Sequence, residues 1–193
     1  MTHSVDTSSE MRVEEWLVDD SRSAVVDVEI DMMAEVLHAV VHNGASVSFC
    51  TPFSIGEARA FWVEKVLPEV RGHRRRMVVA RLNDNDGTNR IVGTVQLELE
   101  MPPNQPHRAA VAKLLVHPAA RRRGVARALM NALEDMARSE GRTLLTLDTV
   151  SGSNGELLYR SLDFTPVGII PRYARGALTP ELESTTIMYK ELS

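Results

Sequence analysis

The sequence predicts an α/β protein, a mixed sheet interrupted by helical crossovers rather than a doubly wound one. Three observations carry this. Strand-like and helix-like signals alternate irregularly along the 193 residues: a strand, two helices, a meander of strands, a helix, a strand, a helix, then two strands. The runs AAVAKLLVH at 109 to 117 and TLLTLD at 143 to 148 are apolar on most positions, as central strands covered on both faces are. The length and an apolar share of 44% suffice for one substantial core. Residues 11 to 193 therefore read as one domain behind a flexible tail, residues 1 to 10.

Residues 11 to 18, MRVEEWLV, alternate and open as a strand. Residues 24 to 42 have helical spacing, with Val25, Val28, Met32 and Val36 on the expected inner face. Asn43 and Gly44 stop that helix. Ser54 followed by Glu57 is a capping-box pattern. It starts a second helix through Ile55, Ala58, Phe61, Trp62 and Lys65, and Pro68 marks its exit. Residues 76 to 82 and 90 to 99 read as a hairpin around NDNDGTN. The apolar strand 109 to 117 leads into a helix over 124 to 138 with Val125, Leu129, Ala132, Leu133 and Met136 buried. Strand 143 to 148, a short helix from Asn154 to Leu162, and strands at 165 to 170 and 184 to 190 complete the chain. Pro166 and Pro171 limit the first of these last two strands.

Composition narrows the function classes. The formal charge is −4, and a nucleic-acid module needs a coherent basic face. Arginines cluster at Arg74 to Arg76 and Arg121 to Arg123, far apart and without interleaved aromatics, so no nucleic-acid partner is expected. Arg74 to Arg76 read as solvent-facing. The single cysteine, Cys50, forbids an internal disulfide. MTHSVDTSSE lacks the pattern of a secretion signal, and no run of about 18 apolar residues exists. A cytoplasmic location and no membrane partner are the expectations. His38 and His42 lie four apart on a helix but lack the glutamate of a metal motif, so no metal is expected.

The stretch VHPAARRRGVARALM, residues 116 to 130, carries the chemistry. A strand enters a loop of arginine and glycine and then a helix. The first N–H groups of a helix lack internal partners, and the dipole there favours an anion. Gly124 leaves the backbone open to a phosphate, and Ala126 keeps the next turn small. Arg121, Arg122 and Arg123 disfavour a helix start unless something anionic compensates them.

Arg121-x-x-Gly124-x-Ala126 matches the (Gln/Arg)-x-x-Gly-x-(Gly/Ala) signature of the Gcn5-related N-acetyltransferases, and LLVHPAA resembles the strand and turn before it. TLLTLDTVSGSNGELLYRSLDF resembles the family's fifth strand and following helix, departing at Asp163 where glycine is usual. The resemblance spans residues 11 to 190. It implies the acyl-CoA N-acyltransferase fold, a mixed, mostly antiparallel twisted sheet flanked by helices, with the fourth and fifth strands splayed. It further implies acetyl-CoA as cosubstrate. Leu114, Leu115 and Val116 would pair with the pantetheine arm, and Arg121, Arg122, Arg123, Gly124, Val125, Ala126 and Asn154 would hold the rest of the cofactor. VGIIPRYA and the stretch from GTVQLELE to RALM resemble the tabtoxin-resistance branch, whose acceptor is a small amino-acid-like toxin. That branch tends to carry a glutamate where this chain has Ala110. Dimers are common in the family, so a homodimer is an expectation.

Direct acetyl transfer to a small-molecule amine needs proximity, a donor to the carbonyl oxygen and a proton for the departing thiolate. Tyr159 matches the family's general-acid tyrosine. Asp148, ending a strand, is the second candidate, either accepting a proton or capping the turn after it. Glu98 and Glu100 are candidate bases at the end of the third strand. Phe49, Trp62, Arg172 and Tyr173 are candidate acceptor-binding residues. Lys113 reads as a strand residue reaching solvent, with a role in substrate binding as the alternative, and His117 reads as structural. The competing readings are a protein N-terminus or lysine as acceptor, a CoA-binding module without transfer, and a nucleic-acid module.

Overall fold

The computed structural model describes residues 11–18, 21, 23–83 and 87–193; the expected tail at 1–10 and the turn tip at 84–86 lie outside them. The elements are β1 (Arg12–Glu15), α1 (Ser23–His42), α2 (Ile55–Phe61), a π-helical turn (Trp62–Val66), α3 (Leu67–Arg71), β2 (Arg75–Asn83), β3 (Asn89–Glu98) and β4 (Arg108–Val116). After a 3-10 turn (Pro118–Ala120) come α4 (Val125–Ser139), β5 (Leu144–Val150), α5 (Asn154–Arg160), β6 (Thr165–Arg175) and β7 (Leu182–Glu191). They form a seven-stranded sheet of order β1-β2-β3-β4-β5-β7-β6. Every neighbouring pair is antiparallel except β4 with β5.

Each face of the sheet has its own core. On one, α1, α2 and the π-helical turn bury Ile30, Met33, Leu37, Ala58, Trp62, Met77, Val79 and Leu115. On the other, α4 packs Leu129, Met130 and Leu133 against Val78, Val95, Leu97, Leu145 and Met188. Buried carboxylates are paired: Glu29 accepts from Trp16 Nε1 at 2.8 Å and from Arg81 at 2.6 Å, and Glu134 from Lys190 at 2.7 Å. These pairs join residues distant in sequence.

Several expectations are corrected. The inner face of α1 is misplaced in its first two turns: Val26 and Ile30 are buried there while Val25 and Val28 are 46% and 54% exposed, whereas the expected Val36 is buried and Met32 packs partly buried beside it. Apolar residues at 25, 26, 28 and 30 allow either face, and the later Val40 and Val41 decide it. Pro68 does not end the helix. The chain widens into the π-helical turn, where Leu67 N–H reaches the carbonyl of Trp62, and resumes as α3 with the proline in its first turn. A proline has no N–H and crowds the carbonyl four residues back, and a widened turn relieves both. β6 runs past Pro171 to Arg175. It is an edge strand with register shifts, which spares the proline a ladder bond. Arg75 and Arg76 are not solvent-facing: Arg75 binds Glu98 and Gln96, each at 2.7 Å, and Arg76 binds Glu15 and Glu140. β4 is not covered on both faces; only Ala109, Val111 and Leu115 are buried along it.

Candidate active site

The exposure of β4 has a geometric cause. Its parallel pairing with β5 ends after Arg108–Leu144, Ala109–Leu145 and Ala110–Thr146. Beyond Ala110 the strands diverge, and a cleft of about 870 Å³ opens there. Leu114 and Val116 form one wall and Thr149 and Val150 the other. Arg121, Arg122 and Ala126 close one end, Ser153, Asn154 and Gly155 another, and the loop from Asn43 to Val47 lies above.

The start of α4 is built for an anion. Gly124 is its N-cap, with φ 80° and no side-chain cap, and the first turn carries no acidic residue. The terminal N–H groups thus lack a protein side chain to satisfy them. A Cβ on Gly124 would meet no atom within 4 Å. The position faces open space. Arg122 is also left-handed, with φ 61°, and such turns gather N–H groups into anion-binding concavities. Arg121 reaches Asn43 Oδ1, tying the loop after α1 to this turn. Arg123 lines a separate hollow of about 380 Å³ with Met32, Glu35 and His117, so its side chain is not in the cleft. The Leu115 and Val125 side chains are likewise turned into the two cores. His117 Nδ1 accepts the Ala119 N–H at 3.3 Å and caps the 3-10 turn.

Asp148 lies past the divergence point, exposed, with Oδ2 accepting from Thr185 Oγ1 at 3.0 Å. Tyr159 is 8% exposed and meets Phe164 edge-on at 5.5 Å. Burial, and then the negative charge of Asp148, push its phenol well above the ordinary tyrosine range. Neither Tyr159 nor Asp148 is among the residues that line the cleft; they flank it from α5 and β5. Glu98 is engaged by Arg75. Glu100 lies beyond the end of β3, with its side chain 72% exposed and 3.8 Å from Arg74, and does not line the cleft.

Lys113 does not reach solvent as expected. It sits in a bulge of β4 with φ 50°, where the pairing with β3 skips from Leu115–Thr94 to Ala112–Gln96. Thr94 Oγ1 donates to its carbonyl at 3.1 Å. A bulge re-aims a side chain, and here Nζ donates to Val47 O at 3.1 Å and Ser48 Oγ at 3.0 Å. Nζ stands 5.8 Å from the Phe49 ring centre and 5.7 Å from that of Phe61. Phe49 thus packs beside Lys113 and does not line the cleft. Nor does Trp62: it is fully buried, with Nε1 unpaired. Arg172 and Tyr173 are exposed on β6, the outermost strand, and do not line the cleft.

A contact bridges the loop before α2 and the turn between β6 and β7. Thr51 donates from its backbone N at 2.9 Å and its Oγ1 at 3.1 Å to the carbonyl of Ala177 in the turn between β6 and β7. The side chain of Leu178 stands over Gly44. Sequence reasoning missed this contact, along with Thr149, Val150, Ser153 and Glu183 in the cleft. The Ser153–Glu156 spacing was a usable cap signal, since Ser153 accepts the Glu156 N–H at 3.2 Å. Nothing local signals Glu183. Among the described residues, no group of three or more His, Cys, Asp and Glu is arranged to hold a metal. His42 Nδ1 lies 3.0 Å from the carbonyl of His38.

A sheet split between parallel strands, with a glycine-opened helix start at the split, defines an acyl-CoA N-acyltransferase fold. The sequence model described as the Acetyltransferase (GNAT) family matches residues 38–164, and the chain belongs to that family. Solved structures share the fold. A GCN5-related N-acetyltransferase from Kribbella flavida superposes with TM-score 0.68 at 23% identity, covering 94% of this chain and 98% of that one. An N-acetyltransferase from Staphylococcus aureus Mu50 gives 0.73 at 16% identity, covering 96% and 100%. A Salmonella typhimurium protein, solved with its cofactor acetyl-CoA, gives 0.65 at 21%, covering 96% and 95%. The match is to the family and selects no branch within it.

Proposed function

We propose that the protein transfers the acetyl group of acetyl-CoA directly to a primary amine of a small molecule. The observation that most supports a small acceptor is this bridge: on this reading the double Thr51–Ala177 contact spans the acceptor side, where a peptide would need an open groove. The residues of the cleft fit the cosubstrate. The α4 start and Arg121 and Arg122 would hold its pyrophosphate, with Arg123 contributing backbone only. Leu114, Leu115 and Val116 would offer backbone groups to its pantetheine arm, and Asn154 lines the same cleft. When bound, acetyl-CoA supplies an acetyl thioester.

The chain's own residues do the rest. Tyr159 keeps its proton, because burial and Asp148 both oppose phenolate formation, and it can give that proton to a departing thiolate. Asp148 competes with the Thr149 carbonyl for the single Thr185 hydroxyl proton, which leaves its carboxylate open to an amine or a bridging water. Glu98 is the weaker candidate base, since Arg75 already holds it.

A thiol-release assay across amino acids, polyamines, aminoglycosides, toxin-like β-lactam amino acids and peptides tests this reading. Turnover with a small amine and none with peptides is expected. Turnover with peptides alone would make a protein N-terminus or lysine the acceptor. Acetyl-CoA binding without release by any acceptor would make this a non-catalytic CoA module.

A further inference from the structure

Two opposite charges that do not neutralise each other stand at the cleft, Glu183 in its lining and Lys113 bonded to Val47 of its loop. Lys113 is half-buried and turned inward by the β4 bulge, with a carbonyl, a hydroxyl and two aromatic rings about Nζ. Among the described residues, no carboxylate forms an ion pair with it. An ammonium has three donors, and two of these are satisfied by the bonds above. Burial holds its pKa below the ordinary lysine range; Glu98 and Asp148 attract the charge from further off, and Arg75 opposes it. A cation in this setting lacks a close anion.

Glu183 is the counterpart. It lines the cleft from β7. Its Oε2 is buried with no hydrogen-bond partner. A buried carboxylate oxygen without a donor is costly and calls for an explanation. Glu183 and Thr185 are two apart on β7 and so share a face, and Thr185 binds Asp148. Glu183 therefore belongs to the same side of the sheet as Asp148. The loop residue Val47 connects the two charges: its carbonyl accepts from Lys113, and it lines the cleft with Glu183.

A simple amine would leave Lys113 without a partner. A simple anion would do the same to Glu183. We propose that Lys113 and Glu183 are specificity residues for a zwitterionic acceptor, an amine that also carries a carboxylate. Glu183 receives the ammonium before it loses its proton, and Lys113 receives the carboxylate. Phe49 and Phe61 flank the lysine and exclude water from that contact. This rests on the reading of the cleft as an acetyltransferase site and adds the class of amine.

The test compares free amino acids of small, apolar and charged side chains, each with its carboxamide and its decarboxylated amine, in the thiol-release assay. KM is expected to be about tenfold or more lower for the amino acid than for either analogue, the scale of one charge-assisted hydrogen bond. Lys113→Gln should bring that ratio close to one, and Lys113→Arg should keep most of it. Glu183→Gln should raise KM for every amine while calorimetric binding of acetyl-CoA stays as in the parent. Equal or better use of the decarboxylated amines would overturn the proposal. So would a Lys113→Gln protein that loses stability but keeps the ratio, or a Glu183→Gln protein whose defect lies in acetyl-CoA binding. A second measurement is independent of turnover: calorimetric binding of N-acetylated amino acids against N-acetylated amines. Preference for the former, lost in Lys113→Gln, supports the charge assignment even where no acceptor is acetylated, and absence of that preference removes it.

Discussion

Two residues of the proposed site can be tested by what they lack or keep. Gly124 is left-handed and open, so a side chain there obstructs the pyrophosphate and strains the backbone. Gly124→Val should weaken acetyl-CoA binding by at least about tenfold by calorimetry. Gly124→Ala, which carries the same φ penalty of about 1–2 kcal/mol, separates strain from obstruction through its melting temperature. Unchanged affinity in both would remove the pyrophosphate assignment. Tyr159→Phe should lower kcat by about 10²-fold with acetyl-CoA affinity retained; an equal kcat would end its role as acid. Trp62 is the contrasting case. Sequence places it beside Phe61 on one helix, and only the fold shows that Phe61 faces Lys113 while Trp62 faces the core. Trp62→Phe should leave the acceptor KM unchanged, whereas a rise would return it to the site.

At the scale of elements, the α2 start is stabilised by a reciprocal cap: Ser54 Oγ accepts the Glu57 N–H at 3.2 Å, and Glu57 accepts the Ser54 N–H at 2.7 Å. Ser54→Ala should cost about 1 kcal/mol in denaturant unfolding. This cap, the α4 stripe and the hairpin strands were legible because each is written in neighbouring residues. The phase of α1, the persistence of β6 and the bulge at Lys113 were not, because distant partners decide them. Lys113 reads as an ordinary strand position until the pairing of β4 with β3 sets Lys113 and Leu114 against the single residue Val95. The exposure of β4 has the same origin. Its composition suits a covered strand, but the neighbour that would cover it separates after Ala110.

At the scale of the molecule, a ligand seated between β4 and β5 replaces contacts that the strands do not make with each other. Acetyl-CoA at a hundredfold excess over its Kd should stabilise the folded state by about 2.7 kcal/mol, and a melting temperature that does not move with ligand would argue against binding to the native cleft. The three residue pairs that join β4 to β5 also divide the sheet into β1–β4 and β5–β7 halves. Beside this short ladder, α4 shares one apolar cluster with residues of both halves, Leu97 and Leu145 among them. Local opening follows the weakest connection. In native-state hydrogen exchange, the amides of β5 and β7 should therefore exchange together, as one cooperative unit, at a lower free energy than those of β2 and β3. The same break in the ladder that admits a cofactor would mark the boundary along which the fold first comes apart.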